Sequence, residues 1–148
     1  MNDALGSSIA SIGDVIRLAV APVFLLSGVG VTLGVFTNRL ARIVDRARML
    51  EDRLTHDAGN PSLRQGLRVL ARRARYINSA IALGTVSALL VALTVVLLFA
   101  HALMGVHLAG AIAIVFVAAM LCLTAALMMF LIEVRISTAT LRIGAHPE

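Results

Sequence analysis

The chain has 148 residues, of which 59% are hydrophobic and 14% are charged, and its mean hydropathy is +0.94. This composition excludes an ordinary soluble domain and indicates an integral membrane protein. The formal net charge is +5, the chain contains arginine but no lysine, and the single cysteine, Cys122, excludes an intramolecular disulfide.

A polar segment at the start of the chain is followed by three apolar stretches. Segment 1–14 is net negative and lacks the basic start of a signal peptide, so we expect it to remain as an N-terminal periplasmic or interfacial segment. Each apolar stretch has about the 20 residues that a helix needs to cross about 30 Å of hydrocarbon. The predicted transmembrane helices are 15–36, 79–100 and 108–132.

The distribution of arginine predicts the orientation, because arginine-rich loops are retained in the cytoplasm. Ten of the thirteen arginines lie between Arg39 and Arg75. Loop 37–78 is therefore expected to be cytoplasmic. The N-terminus and the loop at 101–107 are expected outside, and the C-terminal tail at 133–148 is expected in the cytoplasm.

Small residues recur at a spacing of four in the first two spans, which lets helix backbones approach closely in a membrane. Gly30 and Gly34 form a GxxxG pair in the first span, and Gly84 and Ala88 belong to a similar stripe in the second. We expect these residues to pack helices of one chain against each other, in preference to forming a dimer face.

Loop 37–78 has the periodicity of two helical arms separated by a turn at 56–61, where HDAGNP is rich in turn-forming residues. Apolar residues recur at three- and four-residue spacing on one side of each arm, as in a coiled-coil seam. The predicted seam consists of Leu40, Ile43, Ala47, Leu50 and Leu54 in the first arm and Leu63, Leu67 and Leu70 in the second. The arms are expected to form an antiparallel helical hairpin that is continuous with spans 1 and 2.

The arginines that flank this seam have two possible roles. Positive-inside topology requires them whatever the protein does. The members nearest the membrane are also suited to contact anionic lipid headgroups or a protein partner. They are Arg39, Arg42, Arg73 and Arg75. Nucleic acid is not expected as a partner, because Tyr76 is the only aromatic residue of the loop and offers no stacking platform.

A carboxylate, Glu133, follows the third span directly. Acids at a membrane edge more often form an ion pair or anchor a helix than take part in transport, although an intramembrane acid merits a functional hypothesis. We expect Glu133 to pair with Arg39, with Arg135 or with a neighbouring chain. The alternative places Glu133, Arg39 and Asn38 on a pore.

Enzyme chemistry is not expected. No two of the four histidines share the i, i+4 face of a metalloprotease helix. The chain has no nucleophile-elbow serine, no glycine-rich phosphate loop after a strand and no carboxylate pair inside a span. We therefore predict no catalytic, cofactor-binding or metal-binding residues and no cofactor.

A small oligomeric channel is the alternative function, because a subunit with three spans encloses a pore only as part of a ring. Ser27, Thr32 and Thr37 of the first span would then line the entrance. The simpler reading, which we prefer, is that these hydroxyls bond to the backbone of their own helix.

Three stretches of the chain resemble a bacterial family of small membrane proteins that is known as a domain of unknown function. They are APVFLLSGVGVTLGVFTNRLARIVDRARMLE at 21–51, LRVLARRARYINSAI at 67–81 and EVRISTATLRI at 133–143. The resemblance implies three spans and a cytoplasmic hairpin, and it implies no particular activity.

The sequence thus predicts an all-α integral membrane protein of the bacterial inner membrane. We expect a homo-oligomeric scaffold that uses its basic hairpin for assembly, for contact with a protein partner or for contact with anionic lipid. The alternative is a small ion channel with a pore around span 1. Membrane lipids and further copies of the chain are the expected partners.

Overall fold

The computed structural model describes residues 2–56, 60–104 and 107–141, and these ranges contain helices and no strand. The helices are α1 (Asn2–His56), α2 (Pro61–Met104) and α3 (Ala109–Leu141). All three are long and apolar enough to cross a membrane. The prediction of an all-α chain with three membrane-spanning helices is confirmed.

The helices extend beyond the predicted spans, because no proline or glycine cluster interrupts the pattern where the apolar residues end. The predicted N-terminal segment belongs largely to α1, which begins at Asn2 and continues through both span 1 and the first arm. Likewise, α2 joins the second arm to span 2 and ends at Met104, inside the predicted outer loop. The third helix continues past the end of its apolar run, so the segment predicted as a C-terminal tail starts within α3.

A local hydrogen-bond pattern starts α2 after the turn. The Asn60 side-chain oxygen accepts hydrogen bonds from the Ser62 backbone N–H at 3.1 Å and from the Ser62 hydroxyl at 2.6 Å. Asn60 therefore caps the helix, and Pro61 occupies the first helical position, where the missing N–H costs no hydrogen bond. Residues 57–59 of the turn predicted at 56–61 lie outside the described residues, and Asn60 and Pro61 form a defined start of α2.

The chain divides into two compact units, and the first comprises Met1–Thr32 and Gly84–Leu123. In this unit the buried Ser87 hydroxyl donates a hydrogen bond of 2.8 Å to the Ala119 carbonyl, which links α2 to α3. Val91 is also fully buried. A short hydroxyl-to-carbonyl bond between helices is a common means of association where lipid supplies no hydrophobic driving force.

The second unit comprises Leu33–Leu83 and Thr124–Glu148 and contains the hairpin. Its core combines the hairpin seam with part of α3, and the buried members are Phe36, Ile43, Leu70, Ile77, Ala80 and Ala126. The seam residues Leu40, Ala47 and Leu50 pack against this core, and Leu54, Leu63 and Leu67 are half-buried. The predicted apolar face therefore lies inside this unit.

Gly66 of the second arm lies close to Leu50 of the first arm. A Cβ atom added at Gly66 would lie 2.9 Å from the Leu50 Cδ2 atom. Leu50 is half-buried and this methyl group is the end of a flexible side chain, so a small shift makes room for one carbon. The sequence pattern of apolar residues gave no sign of this contact, because it records where side chains are large and not where one is missing.

We expect Gly66→Ala to be nearly neutral and Gly66→Leu to destabilise the hairpin. Alanine gains about 1 kcal/mol of helix propensity over glycine, which offsets the displacement of Leu50. Leucine overfills the seam, at a cost of about 1–3 kcal/mol. The thermal stability of both full-length variants in detergent checks this expectation. Equal stability of the two variants would show that the arms are not in contact at this position.

The small residues of the first two spans have different surroundings. Gly84 is buried and Ala88 is half-buried. Gly30 and Gly34 are exposed, and a Cβ atom at either would meet no atom within 4 Å. The expectation that this GxxxG pair packs helices within one chain is therefore wrong, because α1 turns that face away from the described parts of α2 and α3.

Candidate functional site

Glu133 is the one acidic side chain in the described ranges that is fully buried, with 0% of its side chain exposed. A carboxylate removed from water is strongly destabilising unless cations and hydrogen-bond donors surround it. Glu133 lies in α3 just after the apolar run that the sequence assigns to span 3. Its partners therefore define the most highly charged interior position of the second unit.

Two arginines from the hairpin provide those partners. Arg73 of α2 donates from Nε at 3.0 Å and from Nη2 at 2.9 Å to Glu133 Oε1. Arg39 of α1 places its Nε atom 2.6 Å from Glu133 Oε2. One charged residue from each of the three helices thus meets at one point, which we call the Glu133 clamp (Arg39, Arg73 and Glu133).

The two arginines bind the carboxylate in different ways. Arg73 makes two charge-assisted hydrogen bonds, and its Nη2 atom also donates to the Ser137 hydroxyl at 2.8 Å. Oε2 accepts no hydrogen bond of good geometry from a described residue, although Arg39 is in ionic contact with it. Arg73 therefore orients the carboxylate, and Arg39 mainly neutralises its charge.

Aromatic rings support the clamp one helical turn before its charged residues. Phe36 and Phe130 are stacked at an interplanar angle of 30° with ring centroids 4.7 Å apart. The Arg39 guanidinium lies over the Phe130 ring, 5.4 Å from its centroid. This distance allows a cation–π attraction of about 0.5–2 kcal/mol. The ring thus restricts the directions that the Arg39 side chain can take.

An open cavity of about 590 Å³ lies beside the clamp. Four of its lining residues are arginines and one is an amide, and the remaining side chains are aliphatic. The lining residues are Val35, Asn38, Arg39, Arg42, Ile43, Arg46, Leu70 and Arg73. We call this space the arginine cavity. Its lining attracts anions and offers guanidinium donors in several directions.

The four arginines that were expected to contact lipid or a partner have different environments in the structure. Arg39 and Arg73 are half-buried and contact Glu133. Arg42 is exposed on the arginine cavity, and Arg75 is exposed but is not among its lining residues. Asn38, expected near an ion pair or a pore, lines the cavity with Arg39.

Sequence reasoning missed the pairing of Arg73 with Glu133 and two further participants in this site, Ser137 and Arg46. Arg73 is 60 positions from Glu133, so no local pattern connects the two residues. Ser137 follows Glu133 by one helical turn, a spacing that places both on one face of α3 and that offered a signal. Arg46 lies one turn beyond Arg42 on α1, and its place on the cavity follows from the same spacing.

Within the described ranges, no three side chains of His, Cys, Asp or Glu come together as a metal site. The hydroxyls named as alternative pore residues bond to carbonyls of their own helix. Ser27 donates to Val23 at 3.3 Å, Thr32 donates to Gly28 at 2.9 Å and Thr37 donates to Leu33 at 3.0 Å. The arginine cavity is therefore the more polar candidate surface.

Comparison with known proteins gives one family. The family described as a protein of unknown function, DUF2721, matches residues 19–143, which include both arms of the hairpin and the Glu133 clamp. No curated protein and no solved structure matches the chain.

Proposed function

The chain belongs to the DUF2721 family of proteins of unknown function and has three helices that are long and apolar enough to cross a membrane, and from this premise we propose that it is a homo-oligomeric membrane scaffold. In this proposal the hairpin projects into the cytoplasm and presents a fixed basic surface to further copies, to a protein partner or to lipid. The Glu133 clamp is the observation that carries the proposal.

The clamp gives the hairpin a defined position in its unit. A two-helix hairpin alone has a thin core and would move as a flexible arm. Here the arms share their core with α3 through Phe36, Ala126 and neighbouring residues, and Glu133 joins both arms to α3 by charge. A surface with a fixed geometry suits recognition of a partner, because less conformational entropy is lost on binding.

The outer surface of the hairpin remains strongly basic. Of its ten arginines, two belong to the clamp and eight are exposed. The exposed ones are Arg42, Arg46, Arg48, Arg53, Arg64, Arg68, Arg72 and Arg75. A concentration of arginine next to a span supports a cytoplasmic location by the positive-inside rule. It also supports attraction to acidic partners and to anionic membrane surfaces.

The exposed glycines of α1 support assembly of copies. Gly30 and Gly34 share one face of α1, and no atom of another helix lies within 4 Å of an added Cβ position at either glycine. Glycine surfaces allow helices to approach closely in a membrane, where packing and not hydrophobicity drives association. The same helix exposes Phe24 and Val31 beside these glycines. In our proposal this face of α1 contacts another copy of the chain.

We expect Gly34→Leu to weaken oligomer formation without unfolding the subunit. A Cβ atom at position 34 meets no atom of another helix of the chain, but a leucine side chain would separate two α1 helices that approach at the glycines. Native mass spectrometry of the full-length protein should show a shift toward monomer at unchanged thermal stability. Gly110→Leu is the matched control, because Gly110 in α3 is equally open. An oligomer unchanged by Gly34→Leu would contradict the proposed face.

A channel is the second candidate function, and the exposed small and hydroxyl residues of α1 favour it. Ser27 and Thr37 lie on one exposed side of α1 and have small side chains, so a ring of copies could turn this side toward an axis. The hydroxyls already bond to their own helix, so they offer an ion their lone pairs and no free protons. A scaffold requires packed glycine faces, and a channel requires a hydrated axis. Imaging of the particles along the symmetry axis separates the two.

A further inference from the structure

We infer that the arginine cavity binds the phosphate group of an anionic phospholipid, with Arg42, Arg46 and Asn38 as its principal ligands. The inference rests on the proposed function in one respect, the position of the hairpin at the cytoplasmic membrane surface. It goes further by naming the chemical group that the basic surface takes and the residues that hold it.

The charge of the cavity is only partly balanced within the chain. Glu133 offsets one of the four lining arginines and is engaged with Arg39 and Arg73. Within the described ranges, Arg42 and Arg46 contact no acid, and the Asn38 amide has no hydrogen-bond partner. Two guanidinium groups and an amide thus remain to donate to an oxyanion, and arginine matches phosphate oxygens with paired N–H groups.

The position of the cavity along α1 matches the headgroup layer of a bilayer. The apolar run of α1 ends at Phe36, next to the lining residue Val35. By helical rise, Asn38 stands about 5 Å and Arg42 about 10 Å beyond Val35. The headgroup layer is about 5–8 Å thick on each side of the hydrocarbon. Asn38 therefore falls within that layer, and the Arg42 backbone lies about 2 Å or more beyond its outer edge.

The side chains of α1 lean toward the membrane. Each Cα–Cβ bond of an α-helix tilts toward the helix N-terminus, and in α1 the span precedes the arm. Arg46 stands about 16 Å beyond Val35 by helical rise, and its long side chain extends back along the helix. The Arg42 side chain can therefore reach a phosphate in the headgroup layer while its guanidinium group stays hydrated, and Arg46 adds positive charge from the outer end of the same cavity.

The apolar part of the lining favours a lipid over free phosphate. Val35, Ile43 and Leu70 contribute carbon surface beside the arginines. Inorganic phosphate would leave this surface in water, whereas the glycerol and upper acyl carbons of a lipid would cover it. The lining contains no aromatic residue on which a nucleobase could stack, so it does not favour a nucleotide or single-stranded nucleic acid.

The test is native mass spectrometry of the full-length protein in detergent micelles with added dioleoylphosphatidylglycerol or dioleoylphosphatidylcholine. We expect the wild type to retain phosphatidylglycerol in preference to phosphatidylcholine. Arg42→Gln combined with Arg46→Gln should weaken retention of phosphatidylglycerol roughly 30-fold, because each arginine near a membrane surface contributes about a factor of five. Arg53→Gln combined with Arg68→Gln is the matched control, since both residues are exposed and lie outside the lining.

Three outcomes would overturn the inference. They are equal retention of the two lipids, equal loss of phosphatidylglycerol in both double variants, and full displacement of the lipid by millimolar inorganic phosphate. Circular dichroism and thermal stability show whether the variants are folded, and Arg42→Lys with Arg46→Lys should restore part of the retention by restoring charge. The same spectra report subunit number. A monomer that still retains phosphatidylglycerol through Arg42 and Arg46 would refute the scaffold and support the lipid site.

Discussion

We expect Glu133→Gln to lower the free energy of opening of the hairpin by about 2–3 kcal/mol. Removing one partner of a buried ion pair costs about 3–5 kcal/mol, because the remaining charge is left without compensation. Here two arginines remain, and their side chains are 32% exposed for Arg39 and 18% exposed for Arg73. Water can take up part of their charge, which places the expected loss below that range.

Hydrogen–deuterium exchange of the hairpin amides measures this loss in the intact protein. A decrease of about 2–3 kcal/mol corresponds to opening that is roughly 30-fold to 160-fold more frequent. Glu51→Gln is the matched control, because Glu51 is exposed on the same hairpin. Equal protection in Glu133→Gln and Glu51→Gln would show that the buried carboxylate does not hold the arms.

A triple substitution separates charge from packing at the clamp. Replacing Arg39, Arg73 and Glu133 together by methionine removes all three charges of the clamp, so no unpaired charge remains there. Well-packed apolar replacements of buried ion networks are often neutral or stabilising. We therefore expect protection to return close to the wild-type level in the triple variant. The hairpin would then be stable without its charges, which identifies an unpaired charge as the cause of the defect in Glu133→Gln.

Ile43→Ala is the second substitution with a large expected effect. Ile43 is 4% exposed and belongs to the core shared by the arms and α3. Truncation of a buried isoleucine to alanine costs about 2–5 kcal/mol through lost burial and the cavity that remains. The cavity already present beside Ile43 allows some relaxation of the surrounding side chains. We therefore expect a loss of stability of about 2–4 kcal/mol.

Loss of Ile43 should affect both arms, because its contacts join them. Protection of amides in α1 and in the facing part of α2 should fall together, by at least about 30-fold. Met49→Ala is the control on the same helix, since Met49 is 54% exposed. A decrease confined to the first arm would contradict the packing of the seam, because it would mean that α2 is stable without that contact.

The helices and the seam were predictable because periodicity is a local property. Ile43 and Leu70 recur at positions that any helix turns toward one side, and both are buried as the pattern indicates. The start of α2 was predictable for the same reason, since the Asn60–Pro61 pair is itself a helix start signal. These features depend on residues a few positions apart.

The clamp was predictable only in part. A lone carboxylate after a span requires a cation as its partner, and Arg39 was one of several candidates for pairing with Glu133. The contact with Arg73 depends on how α2 packs against α3, which no spacing in the sequence expresses. Gly34 and Gly66 show the same limit, because their sequence context does not reveal which of them meets another helix. Only tertiary packing distinguishes a glycine under a neighbour from one on an open face.

The most direct test of the scaffold is the subunit number of the full-length wild-type protein in lipid nanodiscs, measured by native mass spectrometry over a range of protein concentrations. We predict one defined oligomer that persists on dilution. A monomer at every concentration would contradict the account, because a lone subunit would have no second copy to cover the exposed glycine face of α1.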